Sequence, residues 1–186
     1  HIKRVVLAGY VKRPAFWDLK LDFVGVRLLL TIASSYFKDD ALLSKLVLFL
    51  EKSGFKVVGP HDLMPDLLMP SGTLGKISPT DKDSLSINAG VAAAKEHGFS
   101  DKGQGVIVSG ARIIAKEDSA GTNAMLEKAA KCHNVSEAIL VKVMKPQQER
   151  RVDLPTIGPD TIEKLSAYGY KGVCLEAHNG LILRKE

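Results

Sequence analysis

A chain of 186 residues and 20.1 kDa has room for one ordinary domain or two small ones, and its 45% hydrophobic and 25% charged content excludes a disordered tail, a collagen-like repeat and a membrane-embedded protein. Only 6% is aromatic, so a core has to be built from Val, Leu, Ile and Ala. The net charge of +5 suits an anionic partner or plain solubility, and the basic residues are scattered without interleaved aromatics, which argues against nucleic acid.

Residues 5–9, VVLAG, read as a buried strand, and the VKRP segment at 11–14 as a basic turn. A helix is predicted over 39–54: Asp39 or Asp40 caps it, Leu42, Leu43, Leu46, Val47 and Leu50 recur at helical spacing, and Gly54 stops it. FKVV at 55–58 is the next strand, so the first part has an α/β pattern. A basic pair running straight into a strand is no signal peptide, and it suggests that sequence belonging before His1 is missing.

From Met64 to Thr80 prolines and glycines accumulate, which places a boundary there: a first domain over 1–70, a linker over 71–80 and a second domain over 81–186. The second opens on a helix over 81–97, capped by Asp81 or Asp83. A hairpin of 106–108 with 113–115 follows, then a helix over 122–132 and a strand over 138–143. A helix over 161–168 and a strand over 172–176 come next. The Asn179-Gly180 pair then reads as a turn into a last strand over 181–183.

The densest polar segment is KPQQERRVDLPTIGPDT at 145–161. Its three prolines stiffen a loop that carries Lys145, Arg150, Arg151, Asp153, Thr156 and Asp160. Cations beside one carboxylate suit a phosphorylated substrate, with the carboxylate holding a divalent metal or orienting water. The same residues also suit a charged surface loop with Asp160 as a helix cap. The turn Gly121-Thr122-Asn123 opens a helix, so its amides and hydroxyl can meet an anion or simply cap. Gly103-Gln104-Gly105 precedes a strand, the wrong order for a phosphate loop. The histidines are scattered and the two cysteines lack ligand spacing, so neither a zinc site nor a disulfide framework is expected.

Blocks standing in order along the whole chain carry a resemblance: VVLAGYVKRP at 5–14, DDALL at 39–43, EKSGFKVVGPHDLMPDLL at 51–68, LGKISP at 74–79, KGQGVIV at 102–108, GTNAML at 121–126 and RRVDLPTIGPDT at 150–161. The chain resembles the UDP-2,3-diacylglucosamine pyrophosphatase family of lipid A biosynthesis. The resemblance implies an α/β fold, with an incomplete, Rossmann-like N-terminal α/β domain and a C-terminal catalytic α/β domain with a mixed sheet. Family members begin with a glycine-rich strand–loop–helix that does not stand in these 186 residues, so an N-terminally truncated chain is expected.

The family splits its substrate with water into UMP and 2,3-diacylglucosamine 1-phosphate and uses Mg²⁺ or Mn²⁺. By resemblance Asp153 is the catalytic residue and the metal-holding one. Lys142, Lys145, Gln148, Arg150, Arg151 and Thr156, with Gly121, Thr122 and Asn123, are the expected substrate-binding set. Leu67, Leu68 and Met69 are a candidate wall for the acyl chains or ordinary linker packing. Where members read EGTD this chain has Ala120-Gly121-Thr122-Asn123, two carboxylates fewer, which weakens a divalent-cation site. A nucleotidyltransferase acting on a lipid phosphate, or a catalytically impaired binder of a lipid nucleotide, stands as the alternative. The expected setting is the cytoplasm of a Gram-negative bacterium, with peripheral contact to the inner membrane, a lipid-linked UDP-sugar as partner and room for a homodimer.

Overall fold

The computed structural model describes residues 2–9, 22–32 and 39–185. The basic turn expected at 11–14 lies outside them, as do the side chains of Asp39 and Asp40. The chain forms two compact units: His1–Pro65 with Gln148–Asp153, and Asp66–Gln147 with Leu154–Glu186.

The first unit holds β1 (Arg4–Val6), α1 (Phe23–Ile32), α2 (Asp39–Lys52), β2 (Lys56–Val58) and the single turn α3 (Pro60–Leu63). β1 and β2 pair in parallel, Val5 opposite Val57. Parallel neighbours require a crossover, and α1 and α2 lie in it. β1 is shorter than the run at 5–9 suggested and starts one residue earlier. α2 ends at Lys52, and Gly54, at φ 91°, takes the left-handed conformation that turns the chain back into β2.

The second unit is a helix–sheet–helix sandwich. Its sheet has the order β4-β3-β5-β7, from β3 (Gly105–Ser109), β4 (Arg112–Lys116), β5 (Ala138–Lys142) and β7 (Gly172–Leu175). β3 runs antiparallel to β4 and β5, while β5 and β7 are parallel. The twofold alternation of a strand sorts the side chains. Val106, Val108, Ile139 and Val141 pack with Ala94 of α4 (Asp81–Phe99) on one face. Ile107 and Leu140 pack with Leu126 of α5 (Gly121–Cys132) and Leu165 of α6 (Pro159–Ala167) on the other. Gly90 lets α4 lie close, since a Cβ there would stand 2.7 Å from Val141.

In the second unit, which begins at Asp66, Leu68 bridges Leu181, the Met69 amide donates to Gly180 O and Met69 O accepts from the His178 amide. Three sequence expectations about its elements change. Thr80, not Asp81 or Asp83, is the N-cap of α4, and Asp83 completes the reciprocal capping box from the third helical position. α6 opens two residues early at Pro159 with Gly158 as N-cap, so Asp160 sits inside the first turn and is not the cap. The last strand does not form a hairpin: β8 (Leu181–Ile182) pairs in parallel with β6 (Thr156–Ile157).

Candidate active site

The loop after β5 divides its residues between the two units. Lys145 stays with the second, its ammonium 2.6 Å from Asp101 and both side chains largely buried. Gln148 to Asp153 join the first. There the loop tightens into a turn, with the Val152 and Asp153 amides both donating to Glu149 O at 3.1 Å. Gln148 is buried, and its Nε2 donates to Asp153 Oδ2 at 2.6 Å. Gln148 thereby orients one oxygen of the Asp153 carboxylate.

Arg151 is committed elsewhere. Its Nε and Nη2 donate to the two Glu149 carboxylate oxygens at 2.9 Å, and Nη1 donates to Glu51 Oε1 on α2 at 2.5 Å. The fork of a guanidinium meets a carboxylate in two parallel bonds, which fixes geometry as well as charge. Both carboxylates hold the Arg151 pKa above its ordinary value, Glu149 foremost, and Arg151 in turn lowers that of Glu149. Arg151 anchors the loop to α2; Arg150 beside it is exposed.

In the second unit α5 opens on a glycine. Gly121 has φ 83°, a left-handed conformation costly for any residue with a Cβ. Thr122 is half-buried, and its hydroxyl is engaged within the protein. Its hydroxyl donates to Glu117 Oε1 at 2.5 Å and accepts from Lys142 Nζ at 2.7 Å. Lys142 and Glu117 are both buried, 3.8 Å apart. Two expected phosphate contacts, Lys142 and Thr122, are therefore brought together around a carboxylate that the sequence reading did not single out.

Asn123, one residue along, is exposed. It lines a cleft of about 380 Å³ with Thr156, Gly158, Asp160, Thr161 and Arg184. The Thr156 hydroxyl donates to Leu154 O at 3.0 Å. Asn123 and Thr156, 33 residues apart in sequence, thus meet on one surface beside the first turn of α6.

Two family models match the chain, one for the LpxI N-terminal domain over residues 1–67 and one for the LpxI C-terminal domain over residues 70–186. The chain belongs to the LpxI family. It is also 38% identical over 193 aligned residues to the UDP-2,3-diacylglucosamine pyrophosphatase LpxI of Caulobacter vibrioides, covering 98% of this chain and 68% of that protein.

For an LpxI-family chain a divalent cation is the expected helper, and the donor set bears on it. Among the described residues no three His, Cys, Asp or Glu side chains stand together as a metal cage. Mg²⁺ seldom needs one, since it takes one or two carboxylates and completes its octahedron with water and substrate phosphate. Asp153, with Gln148 fixing one oxygen, fits that use. The buried Glu117 left no trace in the sequence beyond its place in the turn following a strand. The glycines at 103 and 105 were the available signal: a Cβ at Gly103 would stand 2.6 Å from Glu117 O, and one at Gly105 3.0 Å from Glu117 Oε2.

Proposed function

We propose that this chain hydrolyses the pyrophosphate bond of UDP-2,3-diacylglucosamine, releasing UMP and 2,3-diacylglucosamine 1-phosphate in the lipid A pathway. The observation that carries the reading is family membership along both domains, with the RRVDLPTIGPDT loop present and its aspartate held in place by Gln148. The oxygen of a water molecule adds to one phosphorus, the bridging P–O bond breaks, and the leaving phosphate takes the electron pair.

In this reading Asp153 holds the attacking water, or a Mg²⁺ or Mn²⁺ ion, through the carboxylate oxygen that Gln148 does not occupy. A bound divalent ion supplies charge neutralisation for the phosphate oxygens. In the cleft that they line, Asn123 offers its amide to polar oxygens of the substrate, and Thr156, whose hydroxyl proton goes to Leu154 O, offers a hydroxyl oxygen to a substrate donor. Lys142, Lys145 and Arg151 act from behind: each already stands by a carboxylate, so each sets position and field more than it grips a phosphate. Arg150 is the cation of the loop that stands exposed. Among the described residues no helix is long and apolar enough to cross a membrane.

The test is product identity. The purified protein is incubated with UDP-2,3-diacylglucosamine and Mg²⁺ or Mn²⁺, and the nucleotide products are separated. Free UMP with 2,3-diacylglucosamine 1-phosphate is expected. Pyrophosphate release on supplying UTP and a lipid phosphate would point to nucleotidyl transfer. Substrate binding without UMP would mark an impaired homologue that has lost the two carboxylates of the EGTD turn.

A further inference from the structure

We propose that Glu117 is a positioning residue of this site: it fixes Thr122 and Lys142 beneath the first turn of α5 and so holds Asn123 at the cleft. The inference rests on the reading of the cleft as part of the substrate site. Glu117 is 7% exposed, and both of its carboxylate oxygens are engaged. Oε1 takes the Thr122 hydroxyl and Oε2 takes the Gln104 amide at 3.0 Å. Its backbone is clamped as well, the amide donating to Gly105 O at 2.9 Å and the carbonyl accepting from His97 Nε2 at 2.6 Å.

A buried ion pair seldom adds net stability, because desolvation of both charges offsets their attraction. Orientation is what this arrangement does provide. The Thr122 proton points at Glu117 and a lone pair points at Lys142, so the hydroxyl cannot rotate without leaving a buried polar group unmatched. Thr122 follows the left-handed Gly121, and Asn123 follows Thr122, so the direction of the Asn123 side chain is set by a turn whose second residue is pinned. Glu117 touches no part of the cleft itself and acts through its neighbours.

A double-mutant cycle in kcat/KM tests this. Glu117→Gln is expected to melt at lower temperature, because Lys142 loses the carboxylate at 3.8 Å. E117Q/K142M removes both charges together and keeps the cycle usable if the single variant does not fold. Asn123→Ala is expected to cost about tenfold in kcat/KM in the wild-type background and less than about twofold in the E117Q/K142M background, since there Asn123 is already misplaced. Equal costs in the two backgrounds would overturn the proposal. A wild type that releases no UMP would instead defeat the hydrolase reading, and the same cycle is then read in the Kd of UDP measured by calorimetry. A wild type that neither releases UMP nor binds UDP would defeat both.

Discussion

Arg151 and Asp153 sit two residues apart in a loop rich in charge, yet their surroundings give them different work. Arg151 spends its guanidinium on Glu149 and Glu51, while Asp153 keeps one oxygen outside the Gln148 hydrogen bond. Asp153→Ala is expected to leave folding intact, since a partly exposed loop carboxylate carries little core packing. UMP release should fall at least about a hundredfold, the usual loss when a group orienting water or metal is removed. Asp81→Ala is the control. Its carboxylate stands in the first turn of α4, away from the candidate site, so about 0.3–1 kcal/mol of stability and little turnover are at stake. Near-wild-type UMP release from the Asp153 variant, with divalent metal supplied, would remove it from the catalytic role. From the sequence, residue types singled out this loop, but not which cation would be tied up; that depends on Glu51, a hundred positions away.

At the scale of elements, local pattern decided most of the outcome. The β3–β4 hairpin follows from two apolar runs around a Ser-Gly turn, and α5 from its spacing of Met125, Leu126 and Ala129. β8 escaped because its partner is not local. Asn179-Gly180 resembles a hairpin turn, but Gly180 is there for packing, a Cβ at that position standing 2.5 Å from Leu175 Cγ, and the strand it leads into pairs with β6. Long-range pairing leaves no signature in a short window of sequence. The start of α4 offers a test of how an element's cap is tied to a distant strand. Asp83 accepts the Thr80 amide and stands 2.9 Å from Lys171, next to β7. The Lys171 bond first, and the Thr80 bonds after it, draw the Asp83 pKa from 3.8 to about 2. The folded state therefore keeps a carboxylate ionised where the unfolded chain protonates it. This contribution is fully present above the unfolded value of 3.8 and is lost as pH falls through about 2. In melting curves across that window, the gap between wild type and Asp83→Asn should narrow steadily towards low pH. A gap independent of pH would show that the carboxylate's charge is not what stabilises the cap.

For the whole molecule, residues 148–153 belong to the first unit although the rest of that unit ends at Pro65, a return that sequence proximity hides. That excursion is held by Arg151 on Glu51, an attachment between residues that no local pattern connects. Both large apolar clusters, by contrast, lie wholly within the second unit. A fragment of residues 66–186 is thus expected to fold, giving a cooperative thermal transition and the mixed helix–strand circular dichroism of the sandwich. In the fragment Arg151 keeps Glu149 but loses Glu51, so the turn that presents Asp153 should loosen. Amide hydrogen exchange reads this directly: Val152 and Asp153, whose amides donate to Glu149 O in the whole chain, should exchange faster in the fragment, while Leu140 and Val141 in the sheet should not. UMP release should drop with them. Protection of Val152 and Asp153 equal to that in the whole chain would mean that Glu149 alone orders the turn, and that Glu51 of the first unit does not hold the loop proposed to be catalytic.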